Sequence, residues 1–192
     1  MRQPRYFQKD SYYHLITRGN NQNIFIDKWD FIRFLKILEK YLSKFSIRLL
    51  CYALIPNHVH LLVQQTSDQN PSNFMHNLKT SYVVYFNSKY KKKGHLFEGR
   101  YKYVEITTNE YLVHLSRYIH LNPSSAGLVE KPEGYVWTSY KHYLGLEKSS
   151  FVDESTILTY FSKKDKVADY KEFVESRINY QKEISVQKLF LE

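Results

Sequence analysis

The sequence predicts an α+β fold: an antiparallel sheet reached in the order β-α-β-β-α-β-α, with a small, mostly helical extension at its C-terminal end. Three observations predict it. Short runs rich in β-branched and aromatic residues alternate with stretches whose apolar residues recur at helical spacing. Breakers such as Ile55-Pro56-Asn57 and Asn122-Pro123 punctuate them. The 192 residues, 43% hydrophobic and 24% charged, suit a globular chain with enough apolar matter for a real core.

Each element has a local reason. Tyr12–Arg18, closed by Gly19-Asn20, reads as the first strand. Asp27 stands where it can cap a helix whose Phe31, Phe34, Leu35, Leu38, Leu42 and Phe45 share one face. Ile47–Leu54 and His58–Val63 read as two strands joined by the turn Ile55-Pro56-Asn57. Asn70-Pro71-Ser72 opens a second helix that carries Phe74, Leu78, Tyr82, Tyr85 and Phe86, and the basic loop Lys89–Gly94 ends it. His95–Ile106 is expected as the fourth strand. Thr107 with Glu110 has the spacing of a capping box for a third helix, which Pro123 is expected to stop after Asn122. This is the order of a ferredoxin-like split arrangement, an antiparallel sheet with helices on one face and one helix added. No repeat or linker divides residues 1–130, expected as the main domain. Residues 131–192 are expected to pack on it, with an aromatic segment over Tyr135–Leu146 and short helices near Glu154–Phe161 and Asp165–Ile178.

Composition narrows the function. Lys and Arg number 28 against 19 Asp and Glu, a net charge of +9 that suits a polyanionic partner. Aromatics reach 17%, with 18 Tyr; cations interleaved with rings suit single-stranded nucleic acid, where backbones are neutralised and bases stack. The same numbers also suit tyrosines spent on a core and charge spent on solubility. No run approaches the roughly 18 apolar residues of a membrane span, and MRQPRYFQKD lacks the apolar segment of a secretory signal, so a cytoplasmic location is expected. The single cysteine, Cys51, lies in the apolar run Leu49–Leu54 and reads as a buried, inert thiol.

His58 and His60 flank one residue on an expected strand, so they project from the same face. Tyr118 and Asn122 stand four apart on an expected helix and share a face as well. Two imidazoles with an amide oxygen would hold Mn²⁺, with Mg²⁺ the alternative, and would leave positions for a phosphate oxygen. Tyr118 would supply a phenol nucleophile. Taken alone, these residues equally suit a partly buried histidine pair, a core-edge tyrosine and a helix-end amide.

Four phrases occur in one order: Tyr13-His14-Leu15-Ile16-Thr17-Arg18-Gly19-Asn20, Ile55-Pro56-Asn57-His58-Val59-His60-Leu61-Leu62-Val63, Gly94-His95-Leu96-Phe97-Glu98-Gly99-Arg100-Tyr101 and Tyr118-Ile119-His120-Leu121-Asn122-Pro123. With Trp137-Thr138-Ser139-Tyr140 they closely resemble the single-tyrosine HUH transposases, in particular the REP-associated tyrosine transposases. The resemblance implies that His58 and His60 bind the divalent cation with Asn122, and that Tyr118 is the nucleophile. It implies cleavage and rejoining of single-stranded or hairpin DNA through a 5′-phosphotyrosine link. Arg100 and Lys102 match a segment expected beside DNA; Lys91, Lys92, Lys93 and Arg18 are further candidates for the backbone. His14 matches a recurrent position, with site support and core packing both open. One departure is Ser125, which stands where relatives usually carry arginine. A monomer or a homodimer is expected. The competing readings are a metal-dependent nuclease that uses water, and a DNA-binding regulator without catalysis.

Overall fold

A computed structural model describes residues 7–68, 70–162 and 164–180. Residues 1–6 and 181–192, which the expected spans 1–130 and 131–192 include, lie outside the described residues. The chain runs β1 (Tyr12–Arg18), α1 (Lys28–Lys44), β2 (Ile47–Ile55), β3 (His58–Gln65), α2 (Pro71–Tyr90), β4 (Lys102–Ile106) and α3 (Asn109–Ser125). A 3-10 turn at Pro132–Gly134 and the short helices α4 (Tyr140–Tyr143), α5 (Ser155–Leu158) and α6 (Lys166–Glu175) follow. The fold is α+β, as the sequence predicts.

The four strands lie in the order β2-β3-β1-β4, each antiparallel to its neighbours, so β3 splits the β1-α1-β2 unit. The pleat then assigns the faces. His58 and His60 point to the side where α3 lies, since both rings meet its Asn122. Val59, Leu61 and Val63 alternate with them and are fully buried, as are Tyr13 and Leu15 on β1. That second face is covered by α1 and α2, whose Phe34 and Tyr82 rings pack 5.1 Å apart. The ferredoxin-like helices thus share one face and the added helix takes the other.

The segment after α3 closes a vulnerable edge. β2 ends the sheet, and an unpaired strand edge invites association with other chains. Here Leu54 N–H donates to Trp137 O, Ser139 N–H to Tyr52 O and Asp153 N–H to Leu49 O. Tyr140, Tyr143, Ile157, Tyr170 and Val174 join the same buried cluster as the sheet. Among the described residues, no helix is long and apolar enough to cross a membrane.

Four local expectations need correction. The fourth strand begins only at Lys102; before it, Leu96 and Phe97 are both buried, which breaks the alternation, and Gly94 and Gly99 take positive φ. α3 is capped by Thr108, whose hydroxyl accepts from Tyr111 N–H, so Thr107 and Glu110 form no capping box. Pro123 does not end that helix at Asn122. It costs one backbone donor, while the stop is made at Gly127 (φ 70°), where Gly127 N–H bonds Ser124 O and Leu128 N–H bonds Pro123 O. The two late helices, α5 and α6, are shorter than the expected spans.

Lys89 also leaves the basic loop to which the sequence assigns it. It sits in the last turn of α2 and pairs with Asp27 at 2.7 Å and Asp30 at 2.8 Å, tying α2 to the start of α1. Asp30 is wholly buried and closes the α1 capping box with Asp27. Burial opposes its ionisation, yet bonds from Lys89, Ile26 N–H and Tyr90 outweigh that and hold its carboxyl below the usual range. Removing one partner strands a buried charge, so Lys89→Met should lower the unfolding free energy by about 2–3 kcal/mol. Adding Asp30→Asn should recover part of it, as read by urea denaturation; no loss in the single variant would show the pair to be idle.

Candidate active site

Chain geometry brings one end of the sheet together. Gly19 N–H donates to Asn57 O at 2.7 Å, fixing the end of β1 against the β2–β3 turn. A Cβ at Gly19 would fall within contact of the Gln22 carbonyl and 2.9 Å from Ile24 Cγ2, so only glycine fits. That turn delivers His58 and His60 to the face under α3, where Tyr118 and Asn122 stand one helical turn apart.

Asn122 reaches both histidines. His58 Nε2 lies 3.3 Å from Asn122 Oδ1, and Asn122 Nδ2 lies 3.3 Å from His60 Nε2. Hydrogen bonds behind the rings set their proton positions. Asn57 Oδ1, 2.6 Å from His58 Nδ1, is an acceptor, so Nδ1 carries the proton and the lone pair is on Nε2. His60 Nε2 accepts from Asn122, so its Nδ1–H donates to His14 Nε2 at 2.9 Å. His14 therefore stands behind His60 and orients it.

This donor set fits a divalent cation. His58 Nε2 and Asn122 Oδ1 are two acceptors facing one another, an arrangement that repels as a hydrogen bond and attracts as a pair of ligands. Their separation suits neighbouring positions of an octahedral shell, which lie about 3 Å apart for bonds of about 2.1 Å. Among the described residues no three His, Cys, Asp or Glu side chains converge on a metal position, so a cation here would rest on two imidazoles and the Asn122 amide.

Burial sets the titration of these groups. It lowers His14 to about 4. It lowers His58 too, opposed by Asn122 Oδ1, which would accept a bond from the protonated ring, and aided by Arg18, and takes His60 well below its usual value with help from His14 and His58. The rings are neutral at pH 7, the form in which an imidazole can bind a cation. Tyr118, 40% exposed, stands edge-on to His60 with ring centroids 5.8 Å apart. Burial raises its pKa while a hydrogen bond with Asn122 works against that, so the resting phenol is protonated.

The candidate cations divide. Arg18 pairs with His58 in the β1–β3 register, and Lys102 pairs with Ile16 in β1–β4, which puts both on the histidine face. Arg100 is exposed in the loop before β4. That loop docks on the end of β1, with Asn20 N–H bonded to Leu96 O and Glu98 N–H to Arg18 O. Lys91, Lys92 and Lys93 are exposed beyond α2; Lys92 Nζ donates to Gln22 Oε1 at 3.0 Å. Lys92 is thus held against the connection between β1 and α1. Sequence reasoning missed Asn57, although an amide next to a histidine in a tight turn is a readable signal.

The histidines impose a pH cost. An unfolded His14 takes a proton near pH 6.5 and the folded one only near 4, so stability falls as pH drops between these values. From pH 7 to pH 5, His14 alone should cost about 2 kcal/mol, and His14→Gln should show a correspondingly smaller fall. Urea unfolding at both pH values checks this; equal falls would contradict it.

Residues 7–122 match the sequence signature of the family described as IS200-like transposase. A search of curated proteins finds no match. Among solved structures, a REP-associated tyrosine transposase bound to a REP hairpin is similar with a TM-score of 0.64 at 14% identity, over 80% of this chain and 97% of that one. A Deinococcus radiodurans R1 protein described as a candidate transposase gives 0.44 at 21% identity, over 62% and 95%. The family signature spans more than half of the chain and runs from β1 through the helix bearing Tyr118 and Asn122, and the protein belongs to the IS200-like transposase family.

Proposed function

We propose that this transposase cleaves and rejoins single-stranded, hairpin-containing DNA through a covalent 5′-phosphotyrosine at Tyr118, with Mn²⁺ or Mg²⁺ held by His58, His60 and Asn122. The observation that carries the reading is the position of Asn122, 3.3 Å from the Nε2 atoms of both histidines and one turn from Tyr118. The hairpin bound by the REP-associated neighbour, which shares this fold, supports hairpin DNA as the substrate and the REP-associated type.

The chain's own groups account for each step. Tyr118 Oη bonds to phosphorus as the bond from phosphorus to the 3′ oxygen breaks. The phenol proton passes to solvent, which reaches the half-exposed ring, and the departing 3′ oxygen takes up a proton to end as a 3′-OH. One phosphodiester is exchanged for another, so no nucleoside triphosphate is needed, and attack by a 3′-OH on the phosphotyrosine reverses the step. The Asn122 hydrogen bond favours the phenolate. A divalent cation on the three ligands would polarise the scissile phosphate and offset charge building on its oxygens. His14 and Asn57 hold the two imidazoles in the tautomers that present Nε2. Arg18 and Lys102 would neutralise phosphates next to the scissile one, and Lys91, Lys92, Lys93 and Arg100 those further along the strand.

Incubating wild type and Tyr118→Phe with Mn²⁺ or Mg²⁺ and labelled single-stranded hairpins, then denaturing, tests this. Label should stay on wild-type protein only when metal is present, and none should stay on Tyr118→Phe. A Tyr118→Phe protein that still cuts would overturn the covalent route in favour of water. Binding without cutting by wild type would favour a regulatory protein.

A further inference from the structure

His120 lies midway between Tyr118 and Asn122, and the mechanism above gives it no task. Two residues along a helix turn the side chain by about 200°, so it faces away from the histidine pair. It points into the core, fully buried, toward the C-terminal segment. Its Nδ1 lies 2.8 Å from Tyr170 Oη of α6, and its Nε2 lies 2.9 Å from Ser139 Oγ, just before α4.

The bonds form a directed chain. Tyr170 O–H donates to Ser116 Oγ at 3.0 Å, and Ser116 O–H donates to Val113 O at 2.8 Å. Tyr170 therefore accepts from His120 Nδ1–H, which leaves Nε2 to accept from Ser139. Ser139 in turn accepts from Tyr52 N–H of β2 at 2.9 Å. Ser116, His120, Ser139 and Tyr170 are fully buried and Tyr52 almost so, so a broken link among them strands a polar atom in the core. The chain joins β2, Ser139, α3 and α6, and it holds α3 at two points one turn apart, Ser116 and His120. Tyr118 and Asn122 lie between and beyond these points on the opposite face. A rotation of α3 that relaxed the buried bonds would carry both away from His58 and His60.

We propose that Tyr170 and His120 are positioning residues for the covalent step, through which the C-terminal helix fixes the rotation of α3 and with it Tyr118 and Asn122. This rests on the reading of Tyr118 as nucleophile. Neither residue touches substrate; they act by setting where the reacting group stands. A displacement of about 1 Å at a reacting group costs up to about 100-fold in rate.

Tyr170→Phe removes one hydroxyl and keeps the ring that packs on Tyr143 (4.8 Å) and Phe161 (5.2 Å). Single-turnover adduct formation at saturating hairpin DNA should slow by about tenfold or more, with DNA affinity within about twofold of wild type. Glu175→Gln, which alters the same helix at the carboxylate that accepts from Tyr140 O–H and pairs with Lys171 one turn earlier, should leave the rate unchanged. The ring ¹⁵N resonances of His58 and His60 supply a readout independent of activity. They should shift in Tyr170→Phe and stay in place in Glu175→Gln. Unchanged resonances with an unchanged rate in Tyr170→Phe would overturn the positioning role. Shifted resonances with no adduct even in wild type would instead overturn the nucleophile reading and keep only the anchoring of α3 by Tyr170.

Discussion

A single amide bridging a helix and a strand is the contact on which the rest of this structure depends. Asn122 meets His58 through Oδ1 and His60 through Nδ2, and its helix carries Tyr118 one turn earlier. Three devices serve that contact. The β3 pleat aims both imidazoles at one side, the Gly19–Asn57 bond fixes the turn from which β3 starts, and the Gly127 stop lets α3 run past Pro123. Moving any of them by one residue would rotate a donor out of reach, since one position is half a period in a strand and about 100° in a helix.

The same burial that gives the site its chemistry weakens the fold at low pH. Three imidazoles are held neutral in a poorly solvated pocket, with His14 behind His60 and Asn57 behind His58. Neutrality leaves the Nε2 lone pairs of His58 and His60 facing Asn122, and cation binding requires unprotonated nitrogens. It also raises the proton affinity of the unfolded chain above that of the folded one. The cost is offset elsewhere: α1 and α2 seal the far face, the Asp27–Asp30–Lys89 cluster locks them together, and the segment from Trp137 to Asp153 covers the β2 edge.

Much of this was legible in the residues. A period of two placed His58 and His60 on one face, and an interval of four placed Tyr118 with Asn122. The four ordered phrases brought those pairs into one family, which the IS200-like signature over residues 7–122 shares. What stayed hidden depends on partners distant in sequence. Nothing near His120 tells that its ring meets Tyr170, fifty residues on, and nothing near Lys89 tells that its charge is taken up by Asp27 and Asp30. Local rules also misread competing signals of similar strength. Thr107 and Thr108 are adjacent cap candidates, and a glycine four residues after a proline was the stronger helix stop.

The most direct test of the central contact is titration calorimetry with Mn²⁺ on the DNA-free protein, comparing wild type with Asn122→Ala. Wild type should bind one Mn²⁺ per chain, and the variant should bind it at least about tenfold more weakly with folding retained by circular dichroism. Equal affinity in the two proteins would contradict the convergence of Asn122 with His58 and His60 on one cation.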